Sequence, residues 1–72
     1  MRKSYQIEVD CANCANRVEQ AAQKIDGVKD ASVNFLAQKI TVDFAEGADV
    51  SRVMAEIDKA GRRIDRDFCV YL

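Results

Sequence analysis

The spacing of apolar residues switches between two periods along this chain, and the order of the switches limits the fold more than any other feature. Tyr5, Ile7 and Val9 alternate with Gln6, Glu8 and Asp10, the period of a half-buried strand. Val18, Ala21, Ala22 and Ile25 then recur at helical spacing, with Arg17, Glu19, Gln20, Gln23 and Lys24 on the other side. Asp26-Gly27 ends this helix, with Gly27 in the left-handed stop position. Ala31, Val33 and Phe35 mark a second strand. After a turn around Leu36-Ala37-Gln38, Ile40, Val42 and Phe44 mark a third. Beyond the loop Ala45-Glu46-Gly47-Ala48, Asp49 is the N-cap of a second helix. Its inner face is Val50, Val53, Met54 and Ile57, and Gly61 is expected to stop it. Phe68, Val70 and Leu72 line a last strand, opposite Asp67, Cys69 and Tyr71. The order strand-helix-strand-strand-helix-strand places two helices over the apolar face of one sheet, a two-layer α/β sandwich of α+β type.

With 72 residues the chain is one domain, residues 1–72, with a small core and a thin stability margin. A net charge of −1 offers no basic field for nucleic acid or an anionic membrane. No apolar run is long enough to span a bilayer, and Met1-Arg2-Lys3-Ser4-Tyr5 lacks the apolar stretch of a signal peptide. The expected location is the cytoplasm, where thiols stay reduced. A close cysteine pair there reads as metal-binding or redox-active rather than as a structural staple.

That pair is Cys11 and Cys14, in Asp10-Cys11-Ala12-Asn13-Cys14, between the first strand and the first helix. Metal binding needs the thiolate. Cys14 falls in the first helical turn, where free N–H groups and the helix dipole favour negative charge. The loop lies at an open end of the sheet. Arg62 and Arg63 are expected in the connection after the second helix, at the same end, lowering both thiol pKa values. The ligand count then selects the kind of site. A closed structural zinc site needs four protein ligands. This chain has no histidine and one further cysteine, Cys69, expected about 16 Å along the last strand at ~3.3 Å per residue. Two thiolates make an open site, suited to copper(I), zinc, cadmium, lead or mercury, from which a second protein's thiolates can take the ion stepwise. Met54 reads as core.

Asp10-Cys11-Ala12-Asn13-Cys14-Ala15, the later Asp26-Gly27-Val28 and the strand Ala31-Ser32-Val33-Asn34-Phe35 resemble the heavy-metal-associated domain. That family includes copper chaperones, the mercury-binding periplasmic protein and the N-terminal modules of metal-pumping P-type ATPases. The resemblance covers nearly the whole chain. It implies a ferredoxin-like βαββαβ sheet and metal ligation at Cys11 and Cys14. The family usually has Gly-Met-Thr before the first cysteine, where this chain has Glu8-Val9-Asp10; Val9 can fill the apolar anchor position. A carboxylate beside the pair resembles the zinc, cadmium and lead pumps more than the copper ones. Asp10 has two readings, a cap accepting helix N–H groups or a third metal ligand. A divalent ion of borderline softness gains from an anionic oxygen, whereas copper(I) is content with two sulfurs.

The favoured function is therefore zinc, cadmium or lead(II) binding and delivery for a metal-transporting P-type ATPase. The alternative is a copper(I) chaperone or copper-pump module. The chain itself has no general base or oxyanion site and is not read as an enzyme. A reading of another class is a thiol–disulfide oxidoreductase, but the Trp and Pro that accompany a thioredoxin-type pair are both missing. The expected partner is another metal-binding domain or the membrane part of the pump. Arg17, Arg62 and Arg63 are placed to steer an acidic surface. The chain is expected to be mostly monomeric, with a metal-bridged dimer allowed by the open site.

Overall fold

The computed structural model describes residues 1–71. The chain runs β1 (Arg2–Glu8), α1 (Ala12–Gln23), β2 (Val28–Asn34), β3 (Lys39–Phe44), α2 (Val50–Ile64) and β4 (Cys69–Tyr71). The sheet order is β2-β3-β1-β4, and every neighbouring pair is antiparallel. In register, Tyr5 lies opposite Ile40 and Ile7 opposite Val70, so the alternating apolar positions collect on one face. The helices pack against each other and against the sheet. Ile7, Ile40, Val42, Phe44, Val53, Met54, Ile57 and Phe68 are buried between the two layers. The other face is polar, with the Ser4 and Thr41 hydroxyls hydrogen-bonded at 3.0 Å. The central strand β1 thus feeds straight into the cysteine loop.

Asp49 caps α2 as expected, its Oδ1 accepting the Arg52 N–H at 3.2 Å. α1 ends earlier than expected. Gln23 is its last residue, and Lys24 and Ile25 close the turn with N–H bonds to the Ala21 and Ala22 carbonyls. Gly27 does have a left-handed φ of 98°, but it serves the turn into β2 instead of the helix stop. Phe35 belongs to the β2–β3 turn, and Leu36 at its tip is 93% exposed. Leu72, expected on the last strand, lies outside the described residues.

Gly61 does not stop α2, which continues to Ile64. Its role is contact. A Cβ there would lie 2.3 Å from Phe68 Cδ2 and 2.4 Å from Cε2, so the missing side chain makes the hollow that seats the ring. Helix propensity alone favours Gly61→Ala by about 1 kcal/mol. Overpacking opposes it by about 1–3 kcal/mol and is expected to win, because the ring is buried and already sits against the helix at Gly61. Urea unfolding is expected to show Gly61→Ala less stable than the parent by about 1 kcal/mol, the reverse of the helix-propensity order.

Candidate metal centre

Cys11 is the N-cap of α1, with an extended backbone at φ −142° and ψ 156°. Its sulfur takes the part that a serine or aspartate oxygen plays at most helix starts, accepting the Cys14 N–H at 3.1 Å. The cap is therefore Cys11 and not Asp10. Cys14 sits one turn in, and its Sγ lies 2.7 Å from Cys11 Sγ. All three cysteines are free thiols; Cys11 and Cys14 are half-buried. Beneath the loop, Val9 is 5% exposed and fills the anchor position expected of it.

The two thiols are electrically unequal. Cys11 is held below the ordinary thiol range, first by the side-chain hydrogen bond it shares with Cys14 and then by the Cys14 N–H. The same pairing pushes Cys14 up. Cys11 is thus the sulfur that ionises first. Such a pair can hold a soft cation, which would replace the shared proton and favour both thiolates at once.

The charge surrounding the pair differs from the sequence expectation. Arg62 and Arg63 lie in the last turn of α2, not in the connection, and Arg62 pairs with Asp58 at 3.1 Å. The charge from this end of α2 that reaches the sulfurs is Asp65, which raises both thiols, while Arg17 lowers Cys14. Asp10, Asp65 and Asp67 bring carboxylate oxygens within 4.8 Å of one another. Asp10 is pushed above the usual carboxylate range, chiefly by a hydrogen bond shared with Asp67 and then by the Asp65 charge. In this arrangement the Asp10 carboxylate faces the other two acids and not the sulfurs. The sequence carries the signal for this cluster: Asp65-Arg66-Asp67 follows α2 at the end of the sheet where the cysteines lie.

Cys69 also sits differently. β4 has three residues and Cys69 is its first, paired in register with Glu8. Cys69 therefore opens β4 instead of lying well along it. It shares the polar face with Glu8 and with Tyr71, whose hydroxyl donates to Glu8 Oε2 at 2.7 Å. Met54 is core, as expected.

Known proteins match this geometry. The model of the heavy-metal-associated domain fits residues 4–63. The chain belongs to that family. A copper-transporting ATPase 1 of Rhizobium meliloti (strain 1021) is 47% identical over 51 residues, covering 71% of this chain and 6% of that protein. A cadmium, zinc and cobalt-transporting ATPase of Bacillus subtilis (strain 168) is 32% identical over 66 residues, covering 90% of this chain and 9% of that one. The chain therefore spans under a tenth of the length of either pump. Among solved structures, the N-terminal domain of a potential copper-translocating P-type ATPase from Bacillus subtilis, in its Cu(I)-loaded state, superposes with a TM-score of 0.74 at 33% identity. That match covers 99% of this heavy-metal-associated domain and 84% of the solved chain. Among the described residues of this domain, no helix is long and apolar enough to cross a membrane.

Proposed function

We propose that this heavy-metal-associated domain holds one soft metal ion between Cys11 and Cys14 and hands it to a partner, and that the ion is divalent zinc, cadmium or lead. The observation that carries the choice of ion is the acidic group at the entry to the cysteine loop. Asp10, Asp65 and Asp67 crowd their carboxylates together at the mouth of the loop. Coulomb attraction to those charges doubles for a 2+ ion relative to a 1+ ion. Two thiolates and a neighbouring carboxylate also suit the coordination needs of zinc and cadmium.

A copper(I) reading is favoured by a different observation. The two sulfurs stand together without a carboxylate between them, and two soft donors satisfy copper(I) alone. The copper-pump relatives agree with it.

The partner is a second metal-binding domain or the membrane portion of a metal-transporting ATPase, in the cytoplasm where the thiols stay reduced. The open site gives that partner room to insert its own thiolates before the first ones let go. No step of such an exchange requires this chain to act as an enzyme. Any ATP hydrolysis would belong to the remainder of a larger protein.

Asp10→Ala separates the two ions. Under the divalent reading, zinc and cadmium affinities fall by about 10–100-fold, the usual loss when a group supporting a metal site is removed. The copper(I) affinity stays within about threefold, because two sulfurs satisfy that ion. Competition against zinc, cadmium and copper(I) chelators, side by side, reads both. Unchanged zinc and cadmium affinities would move the assignment to copper(I).

A further inference from the structure

Two consecutive amides lead into the cysteine loop, those of Val9 and Asp10. β1 ends at Glu8 and α1 begins at Ala12, so both fall between elements, where neither ladder nor helix supplies an acceptor. Each is met by a side chain from a distant loop. Gln38, in the β2–β3 turn, accepts the Val9 N–H at its Oε1, 2.9 Å away. Asp65, the C-cap of α2, accepts the Asp10 N–H at its Oδ2, 3.1 Å away.

Both acceptors are themselves fixed. Gln38 holds a left-handed φ of 53°. Its main-chain carbonyl accepts the Ile7 N–H at 2.9 Å, and its Nε2 donates to the Phe35 carbonyl at 2.7 Å. One residue therefore ties the hairpin turn to the end of β1 at two alternate amides. On the other side, Asp65 Oδ1 accepts the Asp67 N–H at 3.0 Å, and the Asp65 N–H donates to the Gly61 carbonyl at 2.8 Å. Such a residue is over-determined in place, as a positioning group must be.

We infer that Gln38 and Asp65 form a two-sided clamp on the entry to the cysteine loop, and that the clamp presets Cys11 and sets how long a bound ion stays. The inference rests on the metal reading proposed above. Cys11 follows Asp10 directly and caps α1, so beyond rotation about its own χ1 its sulfur leaves the position facing Cys14 when the peptide before it swings. With both amides held, that swing is rare. The ordering of the loop is then complete before the ion arrives, which favours capture, and the opening that precedes release is infrequent. Gln38 carries no charge, so its effect is positional. Asp65 also contributes charge, which Asp65→Asn removes while keeping an acceptor.

The test uses the reduced 72-residue chain. Amide hydrogen exchange is measured by NMR without metal, and release of Cd(II) to excess chelator is measured on the loaded chain. In Gln38→Ala, exchange at Val9 and the rate of Cd(II) release are each expected to rise by about tenfold, the loss of one part-buried hydrogen bond. Amides of the β1–β3 ladder keep their protection. Gln38→Glu keeps the accepting oxygen and restores Val9, and Asp65→Asn leaves Asp10 protected. Gln38→Met, close in length and shape, serves the same purpose should the alanine variant unfold. Unchanged exchange at Val9 would overturn the clamp. Faster exchange at Val9 with unchanged Cd(II) release would overturn its control of residence. If the parent chain holds neither Cd(II) nor Cu(I), the metal reading fails by itself, and exchange at Val9 and Asp10 still decides whether the clamp exists.

Discussion

Phe68→Ala is expected to destabilise the domain by about 3–5 kcal/mol, the usual range for removing a buried aromatic ring. For a chain of 72 residues the whole stability is about 4–11 kcal/mol, so most of the folded population is at risk. Phe68 is 2% exposed and rests on the hollow left by Gly61. Its neighbours cannot collapse into the space, because one wall of that hollow is helix backbone, which does not move independently. The loss also reaches the site. Phe68 donates its N–H to the Asp65 carbonyl at 2.9 Å, so the ring anchors the loop that carries Asp65 and Asp67. Urea unfolding followed by circular dichroism measures the change. Added Cd(II) should restore part of the stability, since an ion that binds only the folded form stabilises it by mass action. A loss under about 1 kcal/mol would show that the ring is not a core element.

Single replacements of the two sulfurs are expected to have the largest effect on function. Structural zinc sites with four ligands are worth about 10–16 kcal/mol, or roughly 2.5–4 kcal/mol per ligand. Cys11→Ser and Cys14→Ser should therefore each weaken Cd(II) or Zn(II) binding by about two to three orders of magnitude. Their effects on the fold differ. Cys11 is the cap of α1, and serine is a good N-cap, so Cys11→Ser keeps the helix start intact while the metal is lost. Chelator competition with a parallel thermal melt separates the two. Binding that survives either change within about tenfold would mean that the ion sits elsewhere.

The parts of this molecule that were legible in the sequence are those governed by near neighbours. Ile40, Val42 and Phe44 alternate because one face of their strand meets the core, and that pattern survives translation into structure unchanged. Asp49 caps α2 through a bond to a residue three positions on. Cys11 and Cys14 fall together because one helical turn joins them. The misreadings involve partners far along the chain. Gly61 resembles a helix stop until Phe68 folds back onto it, and the glycine then reads as a seat for a ring. Arg62 and Arg63 read as loop residues only if Gly61 stops α2; four more helical residues leave them exposed on the last turn and bring Asp65 to the loop. Gln38 gave no sign in a turn where any polar residue serves, because its role depends on Val9, 29 positions away.

Titration of the reduced domain with Cd(II), followed by NMR, tests the central claim most directly. One ion per chain should bind, with shifts concentrated at residues 9 to 15 and at 61 to 65, and the same chain with Cys11→Ser and Cys14→Ser together should show none of them. A reduced domain that takes up no thiophilic ion, or a doubly substituted one that holds Cd(II) as tightly as the parent, would contradict the account.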